Sequence, residues 1–234
     1  MAKKRYSGPY VSRGGEKLRG ALEDFAYDPR GKRVLDVGAS TGGFTDCLLQ
    51  AGARSVVALD VAYGQFAWSL RQDDRVQVLE RTNFRSADLQ SLPQLSNPEF
   101  AAPYDLVVAD LSFISLLKLL DQFKQVLSDD GELILLLKPQ FEALKEEVPK
   151  GGVIADPGMH VEILERVNRG FSNAGLSVSD WTYSPLKGPR GNIEFWIRAQ
   201  RSIEEKNDSR LSESVCNCAT IEKVVKAAHL ELNS

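Results

Sequence analysis

The stretch RVLDVGASTGGFTDCLLQ, residues 33–50, decides the fold. An apolar run interrupted only by Asp36 leads into Gly38, Gly42 and Gly43, after which Phe44 to Leu49 resume with helical spacing. A strand, a glycine-rich turn and a helix in that order begin a parallel sheet whose faces are covered by helices. On its C-terminal side, short runs rich in Val, Ile and Leu recur at 55–59, 76–79, 106–109 and 133–137. They are apolar on both faces, as strands buried from two sides must be. Helical patterns at 43–51, 65–71, 114–127 and 157–174 separate them, and a short helix at 16–25 precedes them. After Gly175 the pattern changes to two strand-like runs, 176–185 and 193–199, joined by the turn-rich LKGPRGN. These elements predict a doubly wound, mostly parallel seven-stranded α/β sheet closed by a C-terminal antiparallel hairpin.

The chain has 234 residues, 43% hydrophobic and 26% charged, enough for one large core. No apolar run approaches the roughly 18 residues of a spanning helix, and no apolar segment follows the basic start MAKKRYSGPY, so no membrane association and a cytoplasmic location are expected. Three cysteines, Cys47, Cys216 and Cys218, make no disulfide framework, and with only His160 and His229 a metal site is not expected. Residues 1–20 carry net charge +5 within a chain of net −3. That asymmetry suits an arm for a polyanion, with a solvated chain start as the plain alternative. Residues 1–9 read as that basic arm, 10–200 as one domain, and 201–234 as a flexible polar linker followed by a short amphipathic helix through Ile221, Val224, Val225, Ala228 and Leu232.

Asp60 ends the second strand 22 residues after Gly38, where a carboxylate can accept hydrogen bonds from the ribose hydroxyls of an adenosine cofactor. A dinucleotide wants Gly-x-Gly-x-x-Gly, whereas this loop runs Gly-x-x-x-Gly-Gly. Asp36 beside it also suits a cationic methionine moiety better than a pyrophosphate. The expected cofactor is therefore S-adenosylmethionine, approached by the Gly38 turn, Asp36 and Asp60. The fourth and fifth strands end in Asp110 and Lys138. As neighbours about 4.8 Å apart, their tips bring these side chains face to face at the ligand-binding edge. A solvated strand-end lysine is the plain alternative.

Seven segments in order resemble one family: YVSRGGEKL (10–18), DVGASTGGFTDCLL (36–49), ERTN (80–83), DLSFIS (110–115), KPQFE (138–142), GGVIADP (151–157) and GPRGNIEF (188–195). They are similar to the TlyA-type ribosomal RNA 2′-O-methyltransferases, a group within the FtsJ-like ribose methyltransferases that often carries the label hemolysin. The resemblance implies a Rossmann-like S-adenosylmethionine-dependent methyltransferase domain over residues 10–200 and a Lys-Asp-Lys-Glu tetrad at Lys17, Asp110, Lys138 and Glu194. In it, Lys138 helps remove the proton of a ribose 2′-hydroxyl. Burial and Lys17 push the Lys138 amine down in pKa while Asp110 and Glu194 push it up, so its protonation state stays open at this level. The resemblance further implies that Asn83 approaches the adenine and Phe84 packs on it, that Phe44 and the backbone of Ala39, Ser40, Gly42 and Gly43 contact the methionine part, and that Val61 and Asp110 also lie beside the cofactor. Lys3, Lys4, Arg5, Arg13 and Arg190 are the candidates for RNA phosphates. Relatives of this type begin with an S4-type RNA-binding domain, whereas nine residues precede YVSRGG here. A truncated gene, a paralogue with a different RNA and a separate partner that supplies recognition are the open alternatives, with ribosomal RNA or a ribosomal subunit as the expected substrate. The rival functions are a membrane-active hemolysin and a non-catalytic RNA-binding module.

Overall fold

The computed structural model describes residues 6–89, 95–202 and 218–233. Its strands are β1 (Arg33–Val37), β2 (Ser55–Leu59), β3 (Val76–Leu79), β4 (Tyr104–Ala109), β5 (Leu127–Leu137), β6 (Leu176–Tyr183) and β7 (Phe195–Arg201). The helices are α1 (Arg13–Asp24), α2 (Gly43–Gln50), α3 (Trp68–Arg71), α4 (Leu120–Val126), α5 (Pro139–Glu142), α6 (Pro157–Asn173) and α7 (Cys218–Leu232). The sheet runs β3-β2-β1-β4-β5-β7-β6, with β7 antiparallel to both its neighbours and the rest parallel. The expected seven-stranded sheet and its antiparallel close are both present.

Alternation along each strand sorts the core into two layers. Leu35, Val37, Val57, Leu59, Val107, Leu133 and Leu135 face α4, α6 and α7. Val34, Val56, Ala58, Leu106, Val108, Ile134 and Leu136 face α1, α2 and α3. Gly43 and the start of α1 touch so closely that a side chain on Gly43 would stand 2.9 Å from the Gly15 amide nitrogen. That contact brings Arg13 and Lys17, one turn apart on α1, to the sheet's C-terminal edge.

Several boundaries move. The helix expected at 114–127 is a 3-10 turn, Leu116–Leu119, followed by α4, and β5 starts at Leu127 instead of 133. A register shift against β4 separates these first residues from the regular ladder that begins at Glu132. α1 starts at Arg13, three residues before the expected start at 16, and α5 has no counterpart in the sequence reading. The N-terminus of α6 follows its sequence signals: Asp156 caps the Met159 amide at 2.9 Å and Pro157 occupies the first turn.

The C-terminal helix is docked. Ile221, Val225 and Ala228 are buried in the core layer shared with α6 and β6. His160 Nδ1 of α6 meets His229 Nε2 at 2.9 Å. Burial, helped by the neighbouring His229, pushes His160 down to about 4, while Asp156 opposes the shift. Burial also lowers His229, with Lys187 acting in the same sense and Asp156 against it. Both histidines therefore fold neutral. Their contribution to docking is complete above the ordinary histidine pKa near 6.5 and drains away as pH falls from there toward 4. Hydrogen exchange of α7 amides, corrected for intrinsic rates, is expected to accelerate between pH 7 and pH 5. Equal protection at both values would detach this pair from docking.

Candidate active site

β1 delivers the loop to the edge of the sheet. Gly38 has φ +84°, and a Cβ there would lie 2.5 Å from the Asp110 carbonyl oxygen, so this close approach to β4 requires glycine. The amides of Gly38 and Ala39 both donate to the Leu59 carbonyl, at 2.8 and 3.1 Å, and the Asp110 amide donates to Val37 at 3.0 Å. The Asp60 carboxylate takes the Ser40 amide at 2.7 Å and the Ala62 amide at 2.8 Å. Each oxygen keeps a further lone pair for a ligand hydroxyl.

Two cavities meet on this loop and share Gly38, Ser40 and Asp110. The first, about 440 Å³, is lined by Asp60, Val61, Asn83, Phe84 and Leu111 among others, a partly apolar slot with the carboxylates of Asp60 and Asp110 in its wall. The second, about 370 Å³, is lined by Gly14, Lys17, Ala39, Thr41, Gly43 and Phe44 among others. A third, about 340 Å³, lies beyond them and includes Ser112, Lys138, Arg190 and Glu194. Gly38→Ala adds a methyl against the Asp110 backbone at a positive φ that itself costs about 1–2 kcal/mol. It is expected to weaken cofactor binding at least about tenfold by calorimetry; an unchanged affinity would show that the loop relaxes freely.

Four charged side chains stand where the cavities adjoin. Lys17 Nζ binds Glu194 Oε2 at 2.6 Å, with side chains 10% and 1% exposed. Lys138 Nζ binds Asp110 Oδ1 at 2.5 Å and donates to Ser112 Oγ at 2.9 Å. Leu137 and Phe195 are paired in the β5–β7 ladder, so Lys138 and Glu194, one step beyond, leave the sheet side by side. Val37 pairs with Ala109, which in the same way sets Gly38 beside Asp110. Glu194 is held above the ordinary carboxylate range by burial, against which Lys17 acts, and it also feels Asp110 and Lys138. Lys17 and Asp110 line the 370 Å³ cavity, and Lys138 and Glu194 the 340 Å³ one.

Residues 10–201 match the FtsJ-like methyltransferase family. The chain belongs to that family. It is 49% identical over 193 residues, 82% of this chain and 69% of the other, to the 16S/23S rRNA (cytidine-2′-O)-methyltransferase TlyA of Mycobacterium tuberculosis. It is 41% identical over 186 residues, 80% of this chain and 75% of the other, to Hemolysin A of Brachyspira hyodysenteriae. A solved structure described as a "putative hemolysin" from Streptococcus thermophilus superposes with TM-score 0.84 at 38% identity, covering 98% of this chain and 78% of that one. This FtsJ-like methyltransferase uses S-adenosylmethionine. The paired cavities fit it: the slot by Asp60 suits adenosine, and the cavity under Gly14 and Phe44 suits the methionine part.

The FtsJ-like chain departs from the sequence reading at Asp36. That carboxyl is fully buried and lines none of the three cavities. Its Oδ2 accepts from Thr45 Oγ1 at 2.7 Å, and desolvation pushes its pKa up to about 7, so it braces the loop from below instead of meeting the methionine. Phe84 is 4% exposed and packs on Phe123 at 5.0 Å between centroids, so it forms the slot's wall from within the core. Asn83 spends its side-chain oxygen on the Arg85 amide at 3.0 Å, and Phe44 stacks near Trp196 at 5.4 Å. Arg13 lines the 370 Å³ cavity and Arg190 the 340 Å³ one, whereas Lys3, Lys4 and Arg5 lie outside the described residues.

Two contributors escaped the sequence reading. Ser112 completes the cradle of Lys138. Glu142, 9% exposed, accepts from Ser115 Oγ at 2.5 Å and the Leu116 amide at 2.7 Å, clamping the loop that carries Asp110 and Ser112 to the helix that follows Lys138. Its signal was the last letter of KPQFE, a carboxylate on a short helix directly after Lys138.

Proposed function

We propose that this protein methylates a ribose 2′-hydroxyl of ribosomal RNA. The observation that carries the reading is the tetrad's position at the junction of the cavities, with Lys17 and Asp110 on the cofactor side and Lys138 and Glu194 on the acceptor side. S-adenosylmethionine, when bound, supplies an electrophilic methyl on a sulfonium. Lys138 would act as the free amine: it takes the proton of the incoming hydroxyl as the oxygen gains the methyl and the methyl–sulfur bond breaks to leave a neutral thioether, and Asp110 and Ser112 hold the resulting ammonium in place. The Lys17–Glu194 pair fixes α1 against β7, so that the wall of the methionine-side cavity and the acceptor wall keep one spacing. Arg13 and Arg190 at the cavity rims suit the phosphates flanking the target nucleotide.

The curated relatives named for cytidine 2′-O-methylation favour a cytidine in the small or large ribosomal subunit. Work on ribosomal RNA implies the cytoplasm and leaves room for a separate recognition partner. No helix among the described residues is long and apolar enough to cross a membrane. On α7, Ile221, Val225 and Ala228 are buried in docking while Leu230 stays exposed, so the apolar face that the hemolytic reading would insert is largely occupied. The test is a map of 2′-O-methylated positions in ribosomal RNA from cells with and without the gene. One or more cytidines that lose the modification in the deletion and regain it on complementation are expected; identical maps would sink the reading.

A further inference from the structure

A hydrogen-bond chain runs from the buried end of α6 to the rim of the active site. Lys187, in the β6–β7 connection, donates from Nζ to Asn233 Oδ1 at 2.7 Å. Asn233 Nδ2 lies 3.2 Å from His229 Nδ1, and His229 Nε2 lies 2.9 Å from His160 Nδ1. The donors dictate the tautomers: the Asn233 amide needs an acceptor at His229 Nδ1, so His229 carries its proton on Nε2 and gives it to His160 Nδ1. His160 is fully buried against Phe195, the residue next to Glu194, at 5.2 Å between ring centroids. At the other end Lys187 lines the methionine-side cavity, and its carbonyl accepts from Arg13 Nη2 at 3.3 Å. The two residues after Gly188, Pro189 and Arg190, wall the acceptor-side cavity.

We propose that Asn233 and His229 are positioning residues: through Lys187 the C-terminal helix holds the tip of the β6–β7 connection in the place from which it grips RNA. The tip needs this brace. Gly191 sits at φ +95° and its amide bonds only to the Gly188 carbonyl within the same turn, while Arg190 is exposed. Within the β6–β7 connection Leu186 is tied to Ser184 Oγ through its amide and its carbonyl, and the Gly188 amide donates to the Asn192 carbonyl; from other elements the tip segment 186–191 is held by the Arg13 contact at the Lys187 carbonyl and by Asn233 at the Lys187 side chain. The brace acts on the rim formed by Lys187, Pro189 and Arg190, with Gly188 between them packed on the Glu194 carboxylate. The role in RNA binding rests on the function proposed above; the brace itself does not.

The test uses the full chain with Asn233→Ala and Asn233→Asp, assayed on small and large ribosomal subunits from cells without the gene. Asn233→Ala is expected to raise KM for the subunit about fivefold to tenfold, the loss of roughly one hydrogen bond's worth of ordering. Turnover stays within twofold, cofactor Kd is unchanged, and amides of residues 186–191 exchange faster. Asn233→Asp is expected to restore KM, because a carboxylate still takes the Lys187 ammonium and the two histidines can reverse their tautomers to donate toward it. Unchanged KM and exchange in Asn233→Ala, a fall in turnover with KM untouched, or a defect that aspartate fails to rescue each overturns the proposal. If the wild type methylates neither subunit, the proposed function fails, and the exchange of residues 186–191 alone decides the brace.

Discussion

Lys138→Ala is expected to cut methyl transfer at least about a thousandfold while cofactor affinity stays within about threefold. The size follows from what the side chain does at one place. Lys138 is the one tetrad amine on the wall of the acceptor-side cavity, and its 11% exposed side chain is aimed by Asp110 and Ser112. Alanine removes both the proton acceptor and the group that aligns the hydroxyl, contributions commonly worth 10² or more each. Cofactor binding is spared because Lys138 lines neither cofactor cavity. Asp110, 25% exposed, keeps access to water once its partner is gone, so the residual charge does little harm. Single-turnover transfer of labelled methyl to ribosomal subunits measures the first quantity, and calorimetry with S-adenosylmethionine the second. Turnover within tenfold of wild type would remove Lys138 from the chemistry.

Glu194→Leu is expected to destabilise the fold by about 3 kcal/mol and to abolish transfer. Both partners of this ion pair are nearly out of water, so deleting the carboxylate leaves the Lys17 ammonium buried without a counter-charge. In a domain of this size that loss lowers the melting temperature by roughly 6–12 °C. The double variant Lys17→Met/Glu194→Leu is expected to regain most of the stability, since an apolar pair of similar volume avoids the desolvation penalty, yet to stay inactive. Thermal melts beside transfer assays separate the two roles. A double variant as unstable as the single one would mean that packing, not charge, holds α1 to β7.

The parallel sheet was legible because its signals are local. Val, Ile and Leu on both faces of residues 55–59 and 106–109, and glycines after Val37, state their conformation within a few residues. Where local signals compete, boundaries slip: the polar SDDG at 128–131 hides the first residues of β5, and the short turn at 116–119 imitates the start of a longer helix. Asp36 misled for a related reason. A carboxylate next to a cofactor loop looks like a ligand, but the neighbour that takes it from below is Thr45, nine residues on in the fold's next helix.

The sequence alone determined the order of strands and helices, the glycine turn at Gly38 and the acid at Asp60, and family resemblance extended this to the four tetrad residues. Only the tertiary structure decided who touches whom. Lys17 and Glu194 are 177 residues apart, and they meet because β7 inserts between β5 and β6 in a register that opposes Leu137 to Phe195. The same holds for Ser112 with Lys138 and for Lys187 with Asn233. Periodicity reports which face of an element is apolar, a property of neighbours along the chain; strand order and register are settled by packing between elements, and the contacts that make this site are set there.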